Sequence, residues 1–365
     1  MKYLTKAFTV AAAGAAALGM AAVSAHAESL TVVSWGGAYT QSQIKAYHRP
    51  FEAKTGIKIN SEDYNGGLAE VQAQVEAGNV TWDLVDLELS DVVKGCDEGL
   101  LEPIDMSILP PAPDGTPASE DFIKGTVHEC GVGTIVWSTI IAYDATKFPG
   151  EKPKTIADFF NVKKFPGKRA LRKTPRVNLE WALMADGVPA DKVYETLSTE
   201  AGVERAFKKL DSIRDSLLWW EAGAQPPQML ADGEVVMASA YNGRIFNAQV
   251  VEKKPFVIIW DGQVWDIDLW GIPKGTKNLK KALEFIKFST DTQRLADQAK
   301  YISYGPVRKS SAALVSTHAE TGVDMKPHMP TTPENFKTAL QNNFAWWADH
   351  NDEMNERFNA WLAKD

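Results

Sequence analysis

The sequence predicts an α/β protein of two domains, with helices covering both faces of parallel sheets. Strand-like runs alternate with helix-like runs in two stretches of the chain, and this alternation is typical of a parallel sheet. The chain has 365 residues, a length that is large for one hydrophobic core and suits two domains. Between the two stretches, the proline-rich segment Leu109–Pro117 is typical of a surface loop.

The first stretch opens with a β-type run at Leu30–Val33, which leads into a helix. Apolar residues at positions 44, 47 and 51 recur at helical spacing, and the helix ends at Gly56. Pro50 lies late in this helix and is expected to kink it. The later elements are, in chain order, a strand at Ile57–Ile59, a helix with apolar positions 68, 71 and 75 that ends at Gly78, and a strand at Leu84–Leu87.

The second stretch begins after Tyr143. Thr155, followed three residues later by Asp158, resembles a capping box and predicts a helix over residues 156–160. The remaining predicted elements are helices near Leu179–Ala185 and Val203–Ile213, strands near Leu217–Trp219 and Val235–Ser239, a helix through residues 283–287, and a C-terminal helix that docks through Trp347, Met354, Phe358 and Trp361.

The first 27 residues have the pattern of a signal peptide. Lys2 and Lys6 precede an apolar run at Phe8–Val23, and an Ala-His-Ala cleavage pattern stands directly before Glu28. No cysteine lies near the cut, which argues against a lipoprotein, and no later apolar run is long enough to span a bilayer. We therefore expect an exported protein of the periplasm.

The net charge argues against nucleic acid as a partner. Cleavage of the signal peptide removes two lysines and no acids, so the formal charge moves from −8 to −10. Nucleic-acid phosphates require a basic surface, which an acidic chain of this kind does not offer.

Cys96 and Cys130 are the two cysteines of the chain. In an oxidising compartment such a pair is typical of a disulfide. A catalytic thiol is the weaker alternative, because His128 is the one activating base nearby. A metal site is weaker still, since two distant cysteines lack clustered partner ligands. We predict no metal and no cofactor.

The most informative segment is Trp260–Pro273, which sets three acids among three tryptophans. A carboxylate beside aromatic faces is a candidate receptor for a cation, because the charge and the ring faces both attract it. If residues 264–270 form a strand, Asp266 and Asp268 share one face with Val264 and Trp270, and the opposite face enters the core. The alternative is a buried strand edge whose acids serve turns or caps.

Two turns at strand ends are further candidates for ligand contact. In α/β sheets ligands bind beyond the carboxyl ends of strands. The turn after the first strand carries Gly36 and Gly37, which permit close backbone approach, between two aromatic residues, Trp35 and Tyr39. It lacks the glycine and lysine patterns of a nucleotide loop. An ordinary strand-to-helix turn is the alternative.

The corresponding turn of the second stretch is Tyr241–Arg244. Arg244 offers a planar donor fork that suits a carboxylate, although a solvated surface arginine is the ordinary alternative. A basic cluster at residues 168–176 is more typical of a solvated face, but Arg169 or Arg172 could also reach an anionic ligand group. Tyr301 and Tyr304 resemble an iron-binding tyrosine pair, for which we find no further anionic ligands nearby.

The sequence does not favour an enzyme. It contains neither a serine-hydrolase elbow nor a zinc-protease motif, and its six histidines are scattered. Asp266 and Asp268 face the same way on one strand, whereas a glycosidase places its acids on opposite sides of the bond. A secreted hydrolase acting on a small polar substrate remains the competing class.

Three pieces of the chain together resemble the periplasmic solute-binding proteins of ABC importers, in the branch for polyamines and γ-aminobutyrate. The resemblance covers nearly the whole mature chain. The three pieces are Trp35-Gly-Gly, Tyr241-Asn-Gly-Arg, and Trp265 to Gly275 followed by a helix and by Tyr304-Gly-Pro-Val-Arg308.

This resemblance implies a type II periplasmic-binding-protein fold with a ligand cleft between two lobes that are joined by hinge strands. Lobe one would comprise residues 28–139 and 268–308. Lobe two would comprise residues 140–267 and 309–365, with the C-terminal helix. We expect a monomer that delivers its ligand to an inner-membrane ABC permease complex.

The resemblance also implies roles for four residues. Trp35 and Tyr241 would stack on the ligand's alkyl chain from the two lobes, and Asp268 would receive an ammonium, with Asp266 adjacent. Further acids that polyamine binders carry in lobe two are replaced here, and arginines add positive charge. We therefore expect an ω-amino acid such as γ-aminobutyrate, with its carboxylate on Arg244; putrescine is the nearest rival and spermidine a further one.

Overall fold

The computed structural model describes residues 28–363, so the predicted signal peptide lies outside the described residues. One sheet runs through this part of the chain in the order β2-β1-β3-β9-β5-β8-β6-β7, and three short strands join it at its side. The strands are β1 (Ser29–Ser34), β2 (Lys58–Asp63), β3 (Leu84–Glu88), β4 (Val127–His128), β5 (Gly131–Asp144), β6 (Arg169–Arg172), β7 (Leu217–Trp220), β8 (Met237–Tyr241), β9 (Phe256–Gly271), β10 (Gly305–Pro306) and β11 (Leu340–Gln341).

Helices pack on both faces of this sheet, as the alternation of elements predicts. They are α1 (Gly37–Gln43), α2 (Arg49–Thr55), α3 (Ala69–Glu76), α4 (Leu89–Asp97), α5 (Ala118–Asp121), α6 (Ile156–Phe160), α7 (Asn178–Ala185), α8 (Val193–Leu197), α9 (Glu200–Asp211), α10 (Gln225–Ala231), α11 (Asn242–Val250), α12 (Leu279–Ser289), α13 (Thr292–Gln298), α14 (Lys309–Leu314) and α15 (Phe344–Leu362). Within residues 28–363, no helix has the length and apolar character needed to cross a bilayer.

The sheet is mixed, which corrects the expectation of purely parallel sheets. The outer strands pair in parallel at both ends, β1 with β2 and β3, and β6 with β7 and β8. In the middle, β5 pairs with β9 in an antiparallel register from Gly131 opposite Gly271 to Asp144 opposite Phe256. This long antiparallel pair joins the two parallel halves.

Two large hydrophobic cores lie at the two ends of the β5–β9 pair. The first core includes Val32, Leu87 and Phe285, and the second includes Phe159 and Leu210. Both cores also draw residues from β5 and β9, so these two strands cross from one core to the other. The fold therefore has two lobes joined by crossing strands, as the resemblance implies.

Several local predictions are confirmed. Thr155 caps α6 and exchanges hydrogen bonds with Asp158 in a complete capping box. The apolar face of α15 is buried as expected, with Trp347 fully covered in the second core. The helix that continues from α1 to α2 contains a π-helical segment, Ile44–His48, shortly before Pro50. Pro50 has no N–H for the regular backbone hydrogen bond of an α-helix, and this segment accommodates it.

The predicted disulfide joins Cys96, in the last turn of α4, to Cys130, directly before β5. Replacing both cysteines by serine should lower the free energy of unfolding by about 3–4 kcal/mol, because the bridge closes a loop in the unfolded chain. The sequence separation of 34 residues sets the size of that loop. Urea unfolding of the wild type, the double variant and the reduced wild type measures the loss; equal midpoints would contradict the prediction.

Candidate ligand site in the interlobe cleft

A cavity of two adjoining compartments lies between the cores, where β5 and β9 cross. The first compartment is lined by Trp35, Tyr39, Glu88, Ile135, Trp137, Tyr241, Arg244, Asp268 and Tyr304. The second is lined by Glu88, Trp137, Thr139, Arg172, Arg176, Val177, Asn178, Ser239, Val264, Asp266 and Asn342. Glu88 and Trp137 belong to both walls and separate the compartments.

The turn after β1 brings backbone and rings to the first compartment. Gly36 and Gly37 have φ angles of 69° and 59°, in the left-handed region that favours glycine. A Cβ atom on Gly37 would lie 2.7 Å from Nη1 of Arg244, so this position needs a residue without a side chain. Trp35 and Tyr39, on either side of the glycines, both line the compartment.

Arg244 ties the two lobes together. It stands in the first turn of α11, directly after β8, and is 4% exposed. Its Nη1 donates to the carbonyl of Gly36 at 3.0 Å and its Nη2 to the carbonyl of Trp35 at 2.8 Å. Its Nε is buried and has no hydrogen-bond partner in the described part of the chain. The predicted carboxylate receptor therefore also holds the lobe-one turn in place.

Asp268 is a buried carboxylate that lacks a cationic partner. It is 4% exposed, it accepts a hydrogen bond from Nε1 of Trp137 at 2.6 Å, and it forms no ion pair with any residue from 28 to 363. Burial, together with the charges of Asp86 and Glu88, raises its pKa well above the ordinary value. A charge in such surroundings is costly unless an opposite charge joins it. The first compartment is therefore suited to a ligand cation.

Five aromatic side chains surround the first compartment. The rings of Trp137 and Tyr241 meet edge to face with centroids 5.0 Å apart, and those of Tyr39 and Tyr304 do so at 5.3 Å. Trp35 supplies the fifth ring. Aromatic faces bind alkyl chains and attract cations, so this lining suits a small ammonium compound.

The three tryptophans near the acids in sequence do not line either compartment. For Trp270 this corrects the prediction that it shares a ligand-facing side of the strand with Asp266 and Asp268. Trp270 is fully buried in the first core against Phe285. Trp265 packs against Phe336, and Trp260 packs at the edge of a third cluster of buried residues. Both faces of this part of β9 are covered, whereas the sequence predicted that only one face enters the core.

Tyr301 and Tyr304 also separate in the structure. Tyr304 lines the first compartment, whereas the ring of Tyr301 lies beneath the Lys45 ammonium, 5.1 Å from its centroid. Within residues 28–363, no group of three or more His, Cys, Asp or Glu side chains is arranged to hold a metal ion.

The second compartment contains an ion-pair network that spans the lobes. Glu88, at the end of β3, accepts from Nη1 of Arg176 and lies 3.4 Å from Nη1 of Arg172. Arg172 is therefore paired rather than solvated. Asp266 faces the same compartment, where it accepts hydrogen bonds from Asn342 and from the backbone N–H of Ile267. The two acids of β9 thus serve different compartments.

Val177 adopts a strained backbone at the edge of the second compartment. Its φ of 71° and ψ of −38° lie in a region that β-branched residues rarely occupy. Such strain persists where the surrounding structure enforces it, commonly at ligand sites. Here it places Arg176 and Asn178, its two chain neighbours, in the wall of the compartment.

Glu88 and Trp137 are site residues that our sequence reasoning missed. Glu88 directly follows the predicted strand Leu84–Leu87, so the rule of ligands at carboxyl ends of strands could have identified it. Trp137 lies inside β5 and gives no such signal, because its contact with Asp268 joins residues 131 positions apart.

Asp266 should make the stability of the protein depend on pH. Burial and, next, the charge of Glu88 raise its pKa from 3.8 to about 7. Between these values the folded state holds a proton that the unfolded state has lost, so the contribution of Asp266 to the free energy of unfolding falls as pH rises from about 4 to about 7. The free energy of unfolding of the wild type minus that of Asp266→Asn should fall over this pH window and then stay level. Calorimetric unfolding at several pH values measures it; a constant difference would contradict the prediction.

Comparisons with known proteins agree with this geometry. The family model for bacterial extracellular solute-binding proteins matches residues 46–331. A gamma-aminobutyric acid-binding protein of Pseudomonas aeruginosa is 45% identical over 344 residues, which cover 94% of each chain.

Solved structures agree as well. The PBP MotA from A. tumefaciens B6, in complex with glucopine, is 31% identical with a TM-score of 0.82, and the match covers 91% of this chain and 99% of the other. A GABA receptor is 33% identical with a TM-score of 0.77, covering 93% and 98%. The spermidine/putrescine-binding protein PotD of Streptococcus pneumoniae, 18% identical with a TM-score of 0.67 over 92% and 99%, shows likeness of fold alone.

Two lobes that enclose a small cavity between crossing strands define a solute-binding protein that closes around its ligand. The chain belongs to the family of bacterial extracellular solute-binding proteins. Its relatives bind solutes for transport, and the alternative of a secreted hydrolase is not favoured. The family places the protein outside the cytoplasmic membrane.

Proposed function

We propose that this protein captures a small ω-amino acid of the γ-aminobutyrate type in the periplasm and delivers it to an inner-membrane ABC permease. The observation that carries the proposal is the pair of opposite charges in the first compartment. Asp268 has no cationic partner in residues 28–363, and Arg244 keeps a buried Nε without a partner there. A zwitterion satisfies both groups at once, because its ammonium and carboxylate stand at opposite ends of a short alkyl chain.

The ligand's ammonium would lie at the Asp268 carboxylate, and its methylenes would pass between the rings of Trp35 and Tyr241. Its carboxylate would accept from Nε of Arg244, since the two terminal nitrogens already donate to carbonyls of the lobe-one turn. Charge-assisted hydrogen bonds of this kind are the strong ones in proteins. The gamma-aminobutyric acid-binding protein, which is 45% identical to this chain, supports this choice of ligand.

Closure would follow from contacts to both lobes. A ligand that touches Asp268 on β9, Trp35 on one lobe and Arg244 on the other binds the closed state better than the open one. We propose that lobe one comprises residues 28–139 with 268–308 and that lobe two comprises residues 140–267 with 309–365. We further propose cleavage of the signal peptide before Glu28, action as a monomer, and no catalysis.

Putrescine is the second candidate, because Glu88 joins Asp268 in lining the first compartment and could receive a second ammonium. Its weakness is that Glu88 is already paired with Arg172 and Arg176. A diamine would have to compete with both arginines and would leave Arg244 without an anion.

Isothermal titration calorimetry tests the proposal on protein that has been unfolded and then refolded to free it of bound ligand. We expect tight binding of γ-aminobutyrate and much weaker binding of putrescine and spermidine. Valerate and butylamine, which each lack one charged end, should bind poorly and so serve as matched controls. Tight spermidine binding without a response to γ-aminobutyrate would overturn the zwitterion assignment, and turnover of a solute without reversible binding would overturn the transport role.

A further inference from the structure

The carboxylate of Glu88 occupies a position between two arginines of the opposite lobe. Arg176 donates to its Oε2 and also to Oγ of Ser90 at 2.8 Å, while Arg172 approaches its Oε1 at 3.4 Å. The side chain of Glu88 is 7% exposed, and that of Arg176 is 13% exposed. The side chain of Arg172 is 23% exposed, so one carboxylate lies between two partly buried guanidinium groups. Such a pair of planar donor forks is an arrangement by which proteins bind a carboxylate ligand.

The same side chain separates the compartments. Glu88 lines the first compartment beside Asp268 and the second beside Asp266, and it shares this position with Trp137. Shortening Glu88 would therefore open the second compartment toward the ligand's ammonium end. The space that becomes accessible carries the guanidinium donors of Arg172 and Arg176.

The charges of the second compartment favour one anion there. Burial alone would lower the pKa of Arg176, but the carboxylates of Glu88 and Asp91 raise it overall, so the guanidinium stays charged. Burial and, next, the charge of Glu88 raise the pKa of Asp266 to about 7, so Asp266 is only partly ionised near neutral pH. Glu88 is the acid in direct contact with both arginines.

We propose that the second compartment is a carboxylate subsite that this chain fills with its own Glu88, and that Glu88 thereby restricts the ligand to one carboxylate. L-Glutamate differs from γ-aminobutyrate by one carboxylate on the carbon that bears the amine. With the ammonium at Asp268, that extra carboxylate meets Glu88 and is repelled. The specificity part of this inference rests on the proposed function; the subsite itself does not.

The subsite is tested without any amino acid, by chemical rescue with acetate. Glu88→Ala leaves two arginines around a space of carboxylate size, so 50 mM sodium acetate should raise its unfolding temperature relative to sodium chloride at equal ionic strength. The wild type should not respond, because Glu88 fills the subsite. Glu88→Gln keeps the shape and should not respond either, and Glu88→Ala with Arg176→Ala should lose the response. Equal effects of acetate on all four proteins, or none on any, would overturn the subsite.

The specificity is tested by calorimetry with L-glutamate and γ-aminobutyrate. Glu88→Ala should gain at least tenfold in glutamate affinity over the wild type, and the added Arg176→Ala should remove that gain. A variant that binds γ-aminobutyrate yet gains nothing for glutamate would overturn the role of Glu88 in specificity. A wild type that ignores γ-aminobutyrate while acetate still rescues Glu88→Ala would overturn the proposed ligand and leave the subsite supported.

Discussion

Replacing Asp268 by asparagine is expected to weaken γ-aminobutyrate binding about 30-fold or more and, at the same time, to stabilise the ligand-free protein. Removing one partner of a buried charge pair costs about 2–5 kcal/mol of binding free energy. Asparagine keeps the size of the side chain and can still accept from Nε1 of Trp137, so the wall of the compartment should persist. The affinity loss then reports the missing charge.

The gain in stability follows from the sign of the pKa shift. Burial raises the pKa of Asp268 in the folded state. At pH values above the ordinary pKa of an aspartate, Asp268 therefore lowers the free energy of unfolding. Neutral asparagine removes this penalty near pH 7. Binding and stability should therefore change in opposite directions, which a variant that merely damages the fold cannot produce.

Calorimetric titration and urea unfolding of the same preparation measure both effects. Asp186→Asn is a matched control, because Asp186 is an exposed acid paired with Arg205 at 2.7 Å on the surface of lobe two. It should change neither affinity nor, beyond a few tenths of a kcal/mol, stability. An Asp268→Asn protein that binds γ-aminobutyrate like the wild type would remove Asp268 from the ligand site.

The second large effect is expected at Arg244. Arg244→Ala should reduce γ-aminobutyrate affinity about 30-fold or more, because it removes both the proposed carboxylate receptor and two hydrogen bonds across the cleft, to the carbonyls of Trp35 and Gly36. Arg244→Lys should recover little of this loss. The lysine ammonium lacks the planar donor fork of arginine, so it cannot reach two carbonyls and a carboxylate at once.

Small-angle scattering separates the two contributions of Arg244. If the hydrogen bonds to the turn help to close the cleft, the variant with saturating ligand should keep a larger radius of gyration than the wild type. Arg205→Ala, which removes an exposed arginine of the same lobe, is the control and should leave affinity and radius unchanged. Unaltered affinity in Arg244→Ala would place the ligand's carboxylate elsewhere, with Arg172 the next candidate.

Much of this fold could be predicted because its signals are local. The strand β1, the glycine turn and the helix after it lie in one short segment, and the capping box at Thr155 involves residues three apart. The meeting of Asp268, Arg244 and Tyr241 was anticipated through strand ends and through resemblance to a family. These predictions needed only the positions of residues along their own elements.

The partners of these residues could not be predicted, because they depend on which strands become neighbours. Alternation along β9 correctly puts Asp266 and Asp268 on one face, yet it cannot say that Trp137 of β5 would stand between their compartments. It also cannot say that both faces of β9 are covered, which removed Trp270 from the site. Likewise the pairing of Glu88 with Arg176 joins positions 88 residues apart.

Asp268 lies on β9, one of the two strands that pass through both cores, and this position imposes an order of events. A side chain on a crossing strand stays in place whichever lobe moves, so the ammonium can dock while the cleft is open. If the hydrogen bonds of Arg244 to the turn of the other lobe form only on closing, the carboxylate end is held last. Capture should therefore begin at the amine and finish at the carboxylate, with changes at Asp268 slowing association and changes at Arg244 hastening release.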